Sequence, residues 1–116
     1  MNHTLTTGIR REGDFAIIDL SGEINAFADQ DLNDVYTQAE DLDTPTIALS
    51  FKDVSYINST GIALIVGLLS RSRKSGRQLA VFGLSEHFQE IFRITRLSDF
   101  MSVYPDEASL MAAVRT

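Results

Sequence analysis

Short apolar runs and amphipathic stretches take turns along the chain, and the alternation predicts strand, helix, strand, helix. "FAIIDLSG", Phe15 to Gly22, is a β-rich run bounded by Gly13 and Gly22. "LTTGIRR" before it reads as a weaker strand, so a hairpin is expected. Next, Ala28, Leu32, Val35, Tyr36 and Ala39 recur at helical spacing, with Asp29, Asp31, Asp34 and Glu40 between them. This is an amphipathic surface helix, for which Asn25 is available as the cap. "PTIALSF", Pro45 to Phe51, is short and apolar enough to be a buried strand, and Ile62 to Leu69 then reads as a helix apolar on most sides.

The pattern continues downstream. "RQLAVFG", Arg77 to Gly83, is a second buried strand, and Ser85 caps a helix carrying Phe88, Ile91 and Phe92. "MSVY", Met101 to Tyr104, is a last short strand. A final helix places Pro105 in its first turn, Asp106 and Glu107 at its positive end, and Leu110, Met111 and Val114 along an apolar stripe. The expected fold is α/β: a mixed sheet of about four to five strands with helices packed on it, as a single domain over residues 1–116. Neither an internal repeat nor a Pro-rich linker suggests a boundary.

Composition narrows the class. With 116 residues, 44% of them hydrophobic, the chain fills one core and not two. It has no cysteine, which excludes disulfides, thiol nucleophiles and thiolate metal sites. "MNHTLTTGIRREGD" lacks the apolar core of a signal peptide, and the longest apolar run, Gly61 to Leu69, is too short to cross a bilayer. A cytoplasmic protein without membrane insertion is expected. Residues 1–53 hold 11 acidic and 3 basic side chains, a charge of −8, while residues 54–116 hold 5 and 7, a charge of +2. That balance argues against nucleic acid. The one basic cluster, "RSRKSGR" from Arg71 to Arg77, is read as cations complementing the end of a helix that Gly76 stops, in preference to a binding patch.

Chemistry concentrates at Asn58-Ser59-Thr60-Gly61, in front of the apolar helix. Ser59 falls where an N-cap belongs, and Gly61 lets backbone approach closely. A strand end feeding a helix N-terminus is also where α/β sheets place functional groups, and its free amides favour an anion such as phosphate. Enzyme readings find little here. The only histidines, His3 and His87, lie in the N-terminal segment and on a separate helix, so a serine nucleophile has no base. The segment "GIALIVGLL" lacks the Lys-Ser/Thr ending of a phosphate-binding loop, the acidic residues of the first helix look like its solvated face, and no metal-ligand spacing stands out. No catalytic residue, metal or cofactor is assigned.

"DVSYINSTGIALIVGLLSRSRKSGRQLAVFGLSEHFQEIF" resembles the bacterial anti-sigma factor antagonists, small STAS-domain proteins in which a strand leads to Asp-Ser-Ser/Thr-Gly and an apolar helix. "IDLSGEINAF" is similar to the family's "L-x-G-E-x-D" segment and "GRQLAVFGLSEHFQEIFRITRL" to its strand-helix continuation, so the resemblance spans most of the chain. It implies partner switching. The unmodified antagonist binds an anti-sigma factor that is also a serine kinase and so frees the sigma factor; phosphorylation ends the binding, and a PP2C-type phosphatase resets it. Carried over, the phosphoacceptor is Ser59, with Thr60 second to it, and the protein is a substrate, not an enzyme. The expected partner surface comprises Asn25, Phe27, Asn58, Ser59, Thr60, Gly61, Ile62 and Ser85, with Ile62 as the exposed apolar anchor. Asn58 and Asn25 each stand where the family has Asp, and Arg96 replaces a glycine common before the leucine of "ITRL", a loop change given no functional meaning. The alternative is a STAS module acting as scaffold or regulatory subunit, in a signalling complex or beside a lipid transport system, without a phospho-switch.

Overall fold

A computed structural model describes residues 5–113. Its five strands form one sheet in the order β1 (Leu5–Glu12), β2 (Phe15–Ile24), β3 (Thr46–Ile57), β4 (Gln78–Phe82) and β5 (Ser102–Tyr104). The hairpin β1–β2 is antiparallel, and every later pairing is parallel. The helices are α1 (Asp29–Asp41), α2 (Ser59–Lys74), α3 (Glu86–Ile94) and α4 (Glu107–Ala113), with 3-10 turns at Ala26–Ala28 and Leu97–Asp99.

Period-two alternation along the central strands sorts their side chains between two cores. Ala16, Ile18, Ile47, Leu49, Leu79 and Val81 face the larger one, where they pack with Leu32, Val35, Ile65, Leu68, Phe88 and Phe92 of α1, α2 and α3. Phe15, Ile17, Ala48, Ala80 and Phe82 face the other side, where Leu110 of α4 seals a smaller core. Phe51 meets Phe88 and Phe92 edge-on, at centroid separations of 6.1 and 5.4 Å.

The basic cluster is largely structural. The Arg71 guanidinium lies 4.7 Å from the centre of the Tyr36 ring and donates to Glu40 Oε1 at 2.6 Å, pinning α2 to α1. Burial, then the Glu40 carboxylate, raises the pKa of the Tyr36 phenol. Arg77 donates to Thr44 O and Asp43 Oδ1, and Gly76 stops α2 with a φ of +72°.

Of the boundaries that differ from the sequence reading, four have a clear physical cause. Strand β3 runs six residues past Phe51, because it keeps pairing with β2 after β4 has ended. The cap of α2 is Asn58 and not Ser59, since the Asn58 Oδ1 accepts from the Gly61 amide at 2.9 Å. Asn25 caps the 3-10 turn through the Phe27 amide, and α1 begins only after that turn, behind Ala28. Helix α4 starts at Glu107; Asp106 Oδ1 accepts from the Ser109 amide at 2.8 Å, so Pro105 precedes the helix. Ser85 caps α3 as expected, accepting from the Phe88 amide at 3.1 Å. His3 and Val114 lie outside the described residues.

Candidate functional site

The tetrad is built on the ends of β2 and β3. Ile24 closes β2 opposite Ile57, and its carbonyl accepts from the Asn58 amide at 3.3 Å. Because Asn25 follows Ile24 directly, the 3-10 turn carrying Phe27 stands beside the start of α2. Asn58 has extended backbone, with φ −112° and ψ −175°, and its side chain engages one first-turn amide. Gly61 completes the corner. A Cβ at this position would fall 2.1 Å from the Ile24 carbonyl oxygen and 2.8 Å from Ile57 Cγ1, so α2 seats against the sheet only with glycine there.

Ser59 and Thr60 are therefore held outward, and both are exposed. Neither hydroxyl is engaged by a hydrogen bond among the described residues. The first turn of α2 itself carries no acidic residue, and its free amides and dipole favour an anion there. Around this turn lie Phe27, 79% exposed, and Tyr56, 48% exposed, whose register partner on β2 is Glu23. Tyr56 is an exposed aromatic that the sequence reading passed over. Its signal was its position one residue before the buried Ile57, on the solvent side of the strand.

Not every expected surface residue is presented alike. Gly61 is buried and acts by positioning its neighbours. Ile62 is half-buried against the larger core, so it offers an edge rather than a free face. Ser85 heads α3 after β4, whose Phe82 pairs with Ser50 and whose following Gly83 runs on against Lys52 of β3. The structure brings together Asn25, Phe27, Asn58, Ser59, Thr60 and Ile62, and places Ser85 at the start of the next helix, which leaves the same end of the parallel strands as α2. His87 is exposed on α3, its ring 5.7 Å from that of Phe88. Among the described residues no cluster of His, Asp and Glu is arranged to hold a metal ion, and no helix is long and apolar enough to span a membrane.

Comparison with known proteins agrees with this geometry. The profile of the STAS domain matches residues 7–110. The anti-sigma-B factor antagonist of Staphylococcus aureus is 32% identical over 89 residues, covering 77% of this chain and 82% of that one. An anti-sigma factor antagonist from Mycobacterium paratuberculosis superposes with a TM-score of 0.83 at 18% identity, over 97% of this chain and 95% of the other. The Bacillus cell fate determinant SpoIIAA in its phosphorylated form gives 0.70 at 19% identity, over 95% and 100%. At such identities the two structural likenesses establish the fold.

Proposed function

The chain belongs to the STAS domain family of anti-sigma factor antagonists, and from that premise we propose that it binds an anti-sigma factor as a switch thrown by phosphate on Ser59. The observation that carries the reading is the exposed, unengaged Ser59 hydroxyl at the first turn of α2, fixed by the Asn58 cap and the buried Gly61 beside the bare ring of Phe27. Relatives named anti-sigma-B factor antagonist and a fold neighbour known in phosphorylated form support it. The partner is an anti-sigma factor that is also a serine kinase. It transfers the γ-phosphoryl group of ATP to Ser59 Oγ, which loses its proton, and ADP departs. A PP2C-type phosphatase returns the hydroxyl. The protein is the substrate of both, not itself an enzyme, and works in the cytoplasm.

The physics of the switch follows from position. Phosphate brings roughly −1.5 to −2 charges, which a helix N-terminus accommodates through its free amides and dipole. The fold therefore persists. What changes is the interface, where the new dianion displaces apolar contact at Phe27 and Ile62 and must be desolvated against the partner, a cost on the order of several kcal/mol. At about 1.4 kcal/mol per factor of ten, this empties a micromolar complex without a conformational change.

The test uses the anti-sigma factor that co-purifies with the chain. Incubation with ATP should place phosphate on Ser59 by peptide mapping, and Ser59→Ala should remove it. Ser59→Asp should weaken the complex while leaving the thermal midpoint nearly unchanged. Phosphate only at another residue, or label undiminished in Ser59→Ala, would overturn the assignment.

A further inference from the structure

A second surface lies toward the opposite end of α2. There a groove of about 380 Å³ is lined by Val66, Leu69, Arg73, Arg96, Leu97 and Phe100. Its walls are apolar and partly bare: Val66 is 47% and Phe100 55% exposed. Its rim is cationic. The Arg73 guanidinium rests 5.1 Å from the Phe100 ring centre, and neither Arg73 nor Lys74 pairs with a carboxylate among the described residues. Arg96 pairs with Asp99, and no acidic residue lines the groove among the described residues. Such a groove fits a bulky apolar side chain set among carboxylates.

The chain carries one on its own surface. Phe27 is the most exposed large hydrophobic among the described residues, and Glu23, Asp29 and Asp34, all exposed, flank it in sequence. The two halves of the chain carry opposite charge, −8 over residues 1–53 and +2 over residues 54–116. The Phe27 turn stands beside the start of α2, whereas the groove runs from Val66 to Arg73, about 10 to 21 Å further along that helix, so one molecule cannot satisfy itself. We propose that a second copy of this chain does: the acidic Phe27 turn of one molecule docks in the basic, apolar Arg73–Phe100 groove of another. The contact is heterologous, joining two different patches. It also covers Phe27, so self-association competes with any partner at the Ser59 end; the pairing itself does not rest on the assignment of Ser59.

Sedimentation of the full chain from micromolar to millimolar concentration tests it. The average mass should rise with concentration, and the association should weaken at least tenfold at about 1 M salt, where the Debye length falls to roughly 3 Å. Phe27→Asp and Arg73→Glu should each be monomeric where the wild type associates, with unchanged circular dichroism. Mixed, they should form a complex that stops at two copies, because one intact Phe27 then meets one intact groove. Phe100→Ser serves as the groove variant if Arg73→Glu fails to fold. A wild type monomeric throughout, variants that associate as it does, or a mixture that stays monomeric overturns the proposal. So does a monomeric chain whose groove instead binds a synthetic peptide bearing Phe among Asp residues, since the occupant is then a foreign protein.

Discussion

An alanine methyl at Gly61 would sit 2.1 Å from the carbonyl oxygen of Ile24, a backbone atom that cannot swing aside. Gly61→Ala therefore has to push the first turn of α2 away from the end of β2. Overpacking of this kind costs about 1–3 kcal/mol, and the rigid neighbour puts the expected loss at the upper end. Urea unfolding measures it; a loss below about 0.5 kcal/mol would mean that the corner yields and that Gly61 does not position Ser59. Arg96 presents the reverse case. Its φ of +69° is a left-handed conformation that costs a side-chain-bearing residue about 1–2 kcal/mol. Arg96→Gly removes that strain but adds chain entropy worth roughly 0.5–1 kcal/mol to the unfolded state. It also deletes the exposed ion pair to Asp99, worth little at such exposure. The net expectation is a gain of about 0.5 kcal/mol, and a clear loss would show that the Asp99 contact outweighs the strain.

Helix α2 divides its apolar residues among three environments. Ile65, Leu68 and Leu69 are buried, Ile62 and Leu64 are half-buried against the same core, and Ala63 and Val66 are exposed. Leu68→Ala should therefore cost roughly 2–5 kcal/mol, the range for a filled core position, and Leu64→Ala less. Ile62→Ala should cost less stability than Leu68→Ala yet more partner affinity; unchanged affinity in Ile62→Ala would remove this residue from the docking surface. The uniform greasiness of "GIALIVGLL" concealed this division, because a helix flanked by β3 on one side and solvent on the other can afford an apolar outer face only where something docks or where it stays small. The strands and helix order were legible, since period-two and period-3.6 patterns are strong in "FAIIDL", "PTIALSF" and α1. The far half of β3 was not. Register shifts between Asp19 and Ser21 and between Gly22 and Glu23 break the strict pairing with β2, and the buried residues Val54 and Ile57 fall three apart, which no strand period predicts. The cap was misplaced by one residue for a related reason: Asn and Ser are equally good caps, and only the pairing of Ile57 with Ile24 decides where the strand ends. The left-handed turn at Arg96 left no trace, because nothing in an arginine announces positive φ.

Taken as a whole, the molecule has one heavily covered face and one lightly covered face. Three helices bury the first; the second relies on α4 alone, seven residues anchored by Leu110. Met111 packs beside Leu110, and Arg10 of β1 adds a polar clamp. Its guanidinium donates to both Glu107 carboxylate oxygens, at 2.9 and 2.7 Å, and to both Asp19 oxygens, at 2.8 and 3.2 Å, joining α4 to the hairpin. Hydrogen bonding from Arg10 lowers the Glu107 pKa below its ordinary 4.5, and the Ser109 amide lowers that of Asp106 at the helix start. Both are carboxylates with depressed folded-state values. Their contribution is thus complete above the ordinary carboxylate range and is lost as pH falls through the lower folded values. The Glu107 side chain is 37% exposed, so solvent screening keeps the effect modest for the fold and concentrates it in α4. The expected outcome is that α4 frays at a higher pH than the one at which the sheet unfolds, visible on acidification as a loss of helical carbon shifts from Glu107 to Ala113 while strand shifts hold. Arg10→Met should bring part of that fraying to neutral pH and flatten its acid dependence. If α4 and the sheet melt together on acidification, or if Arg10→Met leaves the acid transition where it was, the Arg10 clamp is not what keeps the second face closed.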